Sequence, residues 1–258
     1  VIQTRDVHLT LRRGAHSLAV LRGLDLDIAS GTRTCIIGDS GVGKSTVLRV
    51  LLGLQAPDRG EVRIDGVALE AWLTSDRLAL RRKLQPVFQS AAAALPPRRR
   101  ALAIIAEPLQ IHGIDPSTHH RRCTEALDAV QLPSSIRQRY VHELSGGQQQ
   151  RLALARALVL EPEWLLADEP TSALDPATAL AVSELLRDLS RDRGLGLLVV
   201  THDPVLPLAL DAQVLRLAGG QVGEPLSAAE WLAHDRAQWQ ELTAASQHHP
   251  RAQLSEEP

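Results

Sequence analysis

The first thirty residues step between apolar and polar positions, IQTRDVHLTL and then SLAVLRGLDLDIAS, with the period of two that half-exposed antiparallel strands require. TRTCIIG at 32–38 breaks that alternation. It is a short apolar run, the mark of a buried strand, and KSTVLRVLLGL behind it is apolar at helical spacing. Strand, glycine loop and helix are therefore predicted over 33–54. RGEVRIDG at 59–66 reads as a short strand between turns. From about 75 to 140 the chain turns to Ala, Leu and Arg with proline breaks, LPPRRR at 95–100 and HGIDPSTHHRR at 112–122, which predicts a helical insert between two halves of an α/β core. The core pattern returns with a helix over 145–160, strand WLLAD at 164–168, a helix over 176–193, strand GLLVVTH at 196–202 and the β-rich turn AQVLRLAGGQV. Residues 226–258 are polar and rich in Ala and Gln, predicting a peripheral helix and a frayed tail.

Composition narrows the partners. At 258 residues the chain can bury a core domain carrying a smaller subdomain. Twenty-eight basic residues stand against thirty acidic ones, a net charge of -2, so no global field grips nucleic acid, and no nucleic-acid partner is expected. Cys35 and Cys123 belong to no C-x-x-C pair and read as reduced, buried thiols. No charged-then-apolar leader and no run of eighteen apolar residues is visible, so neither secretion nor membrane spanning is expected. Work at a membrane would need a partner there.

Candidate chemistry lies in four short stretches. GDSGVGKS, comprising Gly38, Asp39, Ser40, Gly41, Val42, Gly43, Lys44 and Ser45, fits G-x-x-x-x-G-K-[ST] at every fixed position. Its glycines let consecutive N–H groups face phosphate oxygens, Lys44 supplies a point charge, and Ser45 offers a hydroxyl to Mg²⁺. A merely flexible glycine turn explains it poorly, because strand and helix flank it. WLLADEP at 164–170 is a buried strand ending in two carboxylates. Asp168 can hold Mg²⁺ through water, and Glu169, pointing the other way, can polarise an attacking water. THD at 201–203 places His202 at the carboxyl end of the next strand, where ligands of open α/β sheets bind. A lone strand-end histidine is more often structural. ELSGGQQQR at 143–151 is a second glycine cradle, without a lysine of its own.

Together these residues resemble the nucleotide-binding subunits of ABC transporters, over about residues 5–225. The marks are GDSGVGKST, Gln89 in PVFQS, LSGGQ at 144–148, LLADEP, SALD at 172–175 and His202, in family order. The resemblance implies an α/β, P-loop NTPase core of the ABC type over 1–225, with an N-terminal antiparallel β subdomain and an inserted α-helical subdomain at about 75–160; 226–258 follow as a helix and tail. It implies ATP and Mg²⁺ as cofactors. Glu169, His202, Lys44 and Gln89 would be catalytic, and Ser45, Gln89 and Asp168 would serve the metal. Residues Gly38 to Ser45, Thr46, Ser145, Gly146, Gly147, Gln148 and Asp175 would bind nucleotide. In the family two such domains dimerise head to tail around two ATP molecules, so Ser145 and Gly147 would face the nucleotide held by the partner's lysine. The partner domain would be a paralogue or a second copy.

Within that family, RRKLQPVFQS, LPPRRR and AEPLQIHG look like the R-x-x-Q-x-V-F-Q, N-P-R and E-P-L-x-x-H run of the peptide and nickel importers. The implied role is the ATP-hydrolysing subunit of an importer of peptide or nickel chelate, peripheral on the cytoplasmic face of the inner membrane. Two transmembrane permeases and, indirectly, an extracytoplasmic binding protein would be its partners. Three features depart from the group: Ser90 follows Gln89, Pro96-Pro97-Arg98 replaces N-P-R, and no cysteine cluster or H-P-Y-T run follows. The last of these tilts the reading toward the shorter nickel or metal-chelate type. Residues 1–30 also contain no aromatic ring to stack on adenine, leaving Leu11, Arg12 or His16 for that place and predicting weak base discrimination. The clusters Arg81-Arg82-Lys83, Arg98-Arg99-Arg100 and Arg121-Arg122 read as a solvated face or as a permease-docking surface. His119-His120 and His248-His249 are poor metal sites, since helical neighbours diverge by about 100°. The competing reading is a soluble ABC-type ATPase of translation or DNA repair; the tandem domains or long coiled coil of those proteins are not seen here.

Overall fold

The structure is a computed structural model that describes residues 1–14, 16–89 and 94–234. The alternating N-terminal segment forms β1 (Ile2–Arg13) and β2 (His16–Ile28), paired antiparallel, and the apolar run that follows forms β3 (Arg33–Ile37). The glycine loop then feeds α1 (Lys44–Leu51). Next come β4 (Arg59–Ile64), β5 (Val67–Ala68), α2 (Leu69–Ser75), α3 (Arg77–Lys83) and β6 (Leu84–Val87). The helical region follows as α4 (Ala101–Ile111) and α5 (Pro116–Ala129). The core resumes with α6 (Gly146–Leu158), β7 (Trp164–Asp168), α7 (Pro176–Arg193), β8 (Gly196–Thr201), α8 (Leu206–Leu210), β9 (Gln213–Ala218), β10 (Gln221–Val222) and β11 (Leu226–Ser227).

These elements make two sheets. One is four-stranded in the order β2-β1-β4-β5; the other is seven-stranded, β10-β9-β3-β8-β7-β6, with β11 paired to β9. The run from β9 to β6 is parallel, so both of its faces must be covered and its strands must be apolar throughout. The sequence complies. Trp164, Leu166, Leu198 and Val200 point to the core shared with α1 and the antiparallel sheet, while Leu165, Ala167, Leu197 and Val199 point to the core shared with α4 to α7.

Two stretches differ from their sequence pattern. Leu84–Val87 lies inside the region expected to be helical, yet it is the edge strand of the main sheet, in parallel register with β7. Pro86 lacks an N–H and is tolerated at an edge, which is why LQPV carries no clear strand signal of its own. The second stretch is the start of the C-terminal segment. Its predicted helix is present over 228–234, but Ala228 and Trp231, three residues apart on one face, are buried, and Trp231 joins the main core. The predicted tail beyond it, including His248-His249, lies outside the described residues.

Candidate active site

Strand register decides what meets at the carboxyl edge of the main sheet. Ile37 is level with Thr201, Asp168 with Val200, and Val87 with Ala167. The residues just past those positions, Gly38, Glu169, His202 and Gln89, therefore emerge along one edge, as ligand-binding residues of open parallel sheets do.

The first glycine loop leads into α1 without a side-chain cap and with no acidic residue in the first helical turn, which leaves its N–H groups free for an anion. Gly43 holds φ at 111°, and a Cβ there would lie 2.4 Å from Val20 Cγ1, so backbone conformation and space both demand glycine. Lys44 is buried. Its Nζ donates to the carbonyls of Gly38 at 2.6 Å and Asp39 at 2.9 Å, neutral acceptors that a phosphate outcompetes. Asp39, Ser40 and Gly41 are exposed along the loop, Val42 is half-buried, and Thr46 is buried one position beyond Ser45.

Ser45 Oγ donates to Asp168 Oδ1 at 3.0 Å. Burial raises the Asp168 carboxyl above the ordinary carboxylate range; the Ser45 hydrogen bond opposes that rise and the neighbouring charge of Glu169 adds to it. A hydroxyl and a carboxylate are the hard oxygen donors that Mg²⁺ prefers. Among the described residues no group of three His, Cys, Asp or Glu could enclose a metal, so an ion held here would draw further ligands from phosphate and water, as Mg²⁺ does. Gln89 is exposed past the end of β6.

Glu169 is buried and adopts a left-handed backbone, φ 48°, at a cost of about 1 kcal/mol or more. Its amide donates to the Val200 carbonyl at 2.9 Å. Its Oε1 lies 2.6 Å from His202 Nδ1, and its Oε2 accepts from the Thr201 hydroxyl at 3.2 Å. Thr201 stands in the quoted THD stretch but carried no role in the sequence reading, because a threonine ending a strand looks like ordinary strand chemistry.

The second glycine cradle has its own partners. Ser145 caps α6, accepting from the Gln148 amide at 3.3 Å, while the Ser145 amide donates back to Gln148 Oε1 at 3.1 Å. A Cβ on Gly147 would lie 2.5 Å from Thr178 Cγ2, and one on Gly146 would lie 3.9 Å from Leu174. Asp175 in turn caps α7 by accepting from the Thr178 amide at 3.1 Å, and hydrogen bonds from Thr178 lower its carboxyl. The sequence-predicted residues thus fall into two groups, one on the edge around Lys44 and Glu169, the other around Ser145 and Asp175. A groove of about 570 Å³ is lined by Glu169, Leu174, Pro176 and His202, among others.

The basic clusters are largely engaged inside the chain. Arg81 donates to the Leu52 carbonyl, Lys83 pairs with Asp65 and Glu163, Arg99 with Glu107, Arg121 with Glu125 and Arg122 with Glu161. Arg100 lies over the Tyr140 ring. His119 contacts the Ile114 carbonyl, while His120 beside it is exposed. Cys35 and Cys123 are free and buried, and burial raises both thiols. Leu11 pairs with Leu18 across the β1–β2 hairpin, and both are exposed, as is Arg12; the side chain of His16 lies outside those described.

Residues 21–172 match the family model described as ABC transporter. The chain is 40% identical over 216 residues to the oligopeptide transport ATP-binding protein OppD of Mycobacterium tuberculosis, covering 84% of this chain and 35% of that protein. It is 38% identical over 218 residues to a peptide import ATP-binding protein of Brucella ovis, covering 84% of this chain and 69% of that protein. The chain thus spans about a third of the mycobacterial relative's length. Its fold is similar to that of cbiO1 from Clostridium perfringens, part of an ABC transporter complex, with a TM-score of 0.80 at 25% identity, covering 92% of each chain. It is also similar to an ATP-binding cassette solved as a dimer with ADP and Pi, with a TM-score of 0.78 at 32% identity over 88% of this chain and 99% of that one.

Proposed function

The chain belongs to the ABC transporter family, and on that premise we propose that it binds and hydrolyses ATP as the motor subunit of a peptide importer. The observation that carries this reading is the pairing of Ser45 with Asp168 and of His202 with Glu169 beside the glycine loop of Lys44. Loop amides and the Lys44 ammonium bind the phosphates of ATP. Ser45 and Asp168, with Gln89, hold Mg²⁺, which when bound offsets phosphate charge. Glu169 orients and polarises the attacking water, and His202 and Lys44 stabilise charge on the γ-phosphate.

Ser145, Gly146, Gly147 and Gln148, with Asp175, act on the nucleotide of a second ATPase subunit in a head-to-tail dimer. ATP favours the closed dimer and hydrolysis releases it, and that population shift drives two transmembrane permease subunits. No described helix is long and apolar enough to cross a membrane. In this reading the permeases hold the chain at the cytoplasmic face. The peptide cargo is supported by the names of the mycobacterial and Brucella relatives. The names of these relatives favour peptide over the nickel type toward which the C-terminal sequence departure tilts.

The test is to purify the native membrane complex, identify its subunits and measure ATP hydrolysis with candidate cargo-loaded binding proteins. Stimulation by a peptide-loaded protein is expected. Stimulation by a metal-chelate-loaded protein alone would replace the cargo, and co-purification with ribosomes or DNA instead of permeases would favour the translation or repair reading. In the same complex Glu169→Gln lowers kcat about a thousandfold or more while ATP binding persists; undiminished turnover removes Glu169 from its role.

A further inference from the structure

We infer that Thr201 is a positioning residue for hydrolysis, a relay that ties the Glu169 carboxylate to the backbone behind His202 and leaves Glu169 one working oxygen. The inference rests on the proposed ATPase reading and concerns how its carboxylate is held. Thr201 ends β8 and is 1% exposed. Its Oγ1 lies 3.0 Å from the Asp203 amide and 3.2 Å from Glu169 Oε2. A backbone amide can only donate, so Oγ1 must accept from Asp203. The single hydroxyl proton is then left for Glu169, which as a carboxylate can only accept. The direction of the relay is fixed by chemistry: Asp203 amide to Thr201 hydroxyl to Glu169 Oε2.

This has a consequence for the two carboxylate oxygens. Oε2 is anchored in the buried interior, whereas Oε1 faces His202, whose side chain is 63% exposed against 11% for Glu169. The Glu169 amide is also tied to β8 through the Val200 carbonyl, so the backbone and one oxygen share a single strand as their support. A carboxylate held at both places cannot turn to follow the histidine. When His202 moves toward a nucleotide, Oε1 is released in place for water, with little reorientation left to the reacting state. The same hydroxyl holds the amide of Asp203, so the carboxylate and the loop carrying His202 keep one spacing.

The experiment uses the complete transporter complex and measures kcat, KM for ATP and thermal stability together. Thr201→Val keeps shape but removes the hydroxyl, and it lowers kcat by about tenfold to a hundredfold, the worth of a hydrogen bond to a charged group, with KM within about twofold. Thr201→Ser keeps the hydroxyl and recovers most of that loss; if valine unfolds the chain, Thr201→Ala carries the same comparison. Action through Glu169 also predicts strong coupling: single-turnover hydrolysis by Glu169→Gln falls little further when Thr201→Val is added. A wild-type rate in Thr201→Val would overturn the inference. An equal further fall in the Glu169→Gln background would overturn it too, by assigning Thr201 to the His202 loop alone. Absence of ATPase activity in the wild-type complex, or full activity in Glu169→Gln, would instead sink the underlying reading.

Discussion

The chain has two glycine cradles, each opening a helix, and they are finished in opposite ways. At 38–46 the helix starts on Gly43 with no side-chain cap, a buried lysine rests on loop carbonyls, and Ser45 reaches Asp168. At 144–148 the helix starts on Ser145 inside a closed capping box, and its glycines pack against the start of α7. An uncapped helix start keeps its N–H groups for a ligand. A capped one has spent part of that capacity on its own order, so it offers a rigid, prefolded surface to an anion supplied from elsewhere. The cradles are therefore not duplicates: on the proposed reading one would hold a nucleotide and the other would meet one.

The largest expected contrast comes from charge. Lys44→Ala should weaken ATP binding by the isolated subunit about tenfold to a hundredfold, the worth of a charged hydrogen bond, as read by nucleotide titration. Ser145→Arg should leave that titration near wild type but abolish ATP-driven dimerisation, measured by light scattering. Equal loss of binding in both variants would erase the distinction between the cradles.

Packing gives the next test. Gly147→Ala drives a methyl to 2.5 Å from Thr178 Cγ2 and should cost about 1–3 kcal/mol in denaturant unfolding. Thr178→Ser removes that methyl, the remaining Thr178 atoms lie 3.8 Å away, and the double variant should recover the loss. Gly43→Ala should not be rescued by trimming Val20, because its φ of 111° is disallowed for alanine whatever the space.

Smaller effects concern caps and buried charge. Ser145→Ala should cost about 1 kcal/mol of stability by opening the capping box. Asp168 tests the other cradle. Its folded pKa is raised by burial, so the folded protein binds the proton more tightly than the unfolded chain. Stability from this group is present below the ordinary carboxylate pKa and is lost as pH rises through the raised value. In metal-free protein Asp168→Asn should therefore raise Tm at neutral pH, and the gain should vanish in acid. A Tm gain that persists in acid would show that the raised carboxyl is not its source.

Much of the frame was legible locally. WLLAD and the helix over 176–193 stand where the pattern put them, because an apolar run with a clear stop needs only neighbouring residues to declare itself. Leu84–Val87 was not legible, since an edge strand with a proline gains its pairing from β7 and not from its own propensity. Trp231 was missed because a polar average hides two apolar residues on one helical face. Thr201 was missed for another reason: its partner lies 32 residues away along the chain.

By itself the sequence determined the loop that can cradle a phosphate, the second glycine cradle at 144–148 and the family pattern that orders them. These depend on φ, ψ and hydrogen bonds among near neighbours, which residue types at fixed spacing specify. The tertiary structure alone decided that Ser45 would touch Asp168 across 123 positions and that Glu169 would be held between Thr201 and His202. Those contacts follow from parallel strand register, set by burial of both faces of the sheet, and no short stretch of chain carries that information.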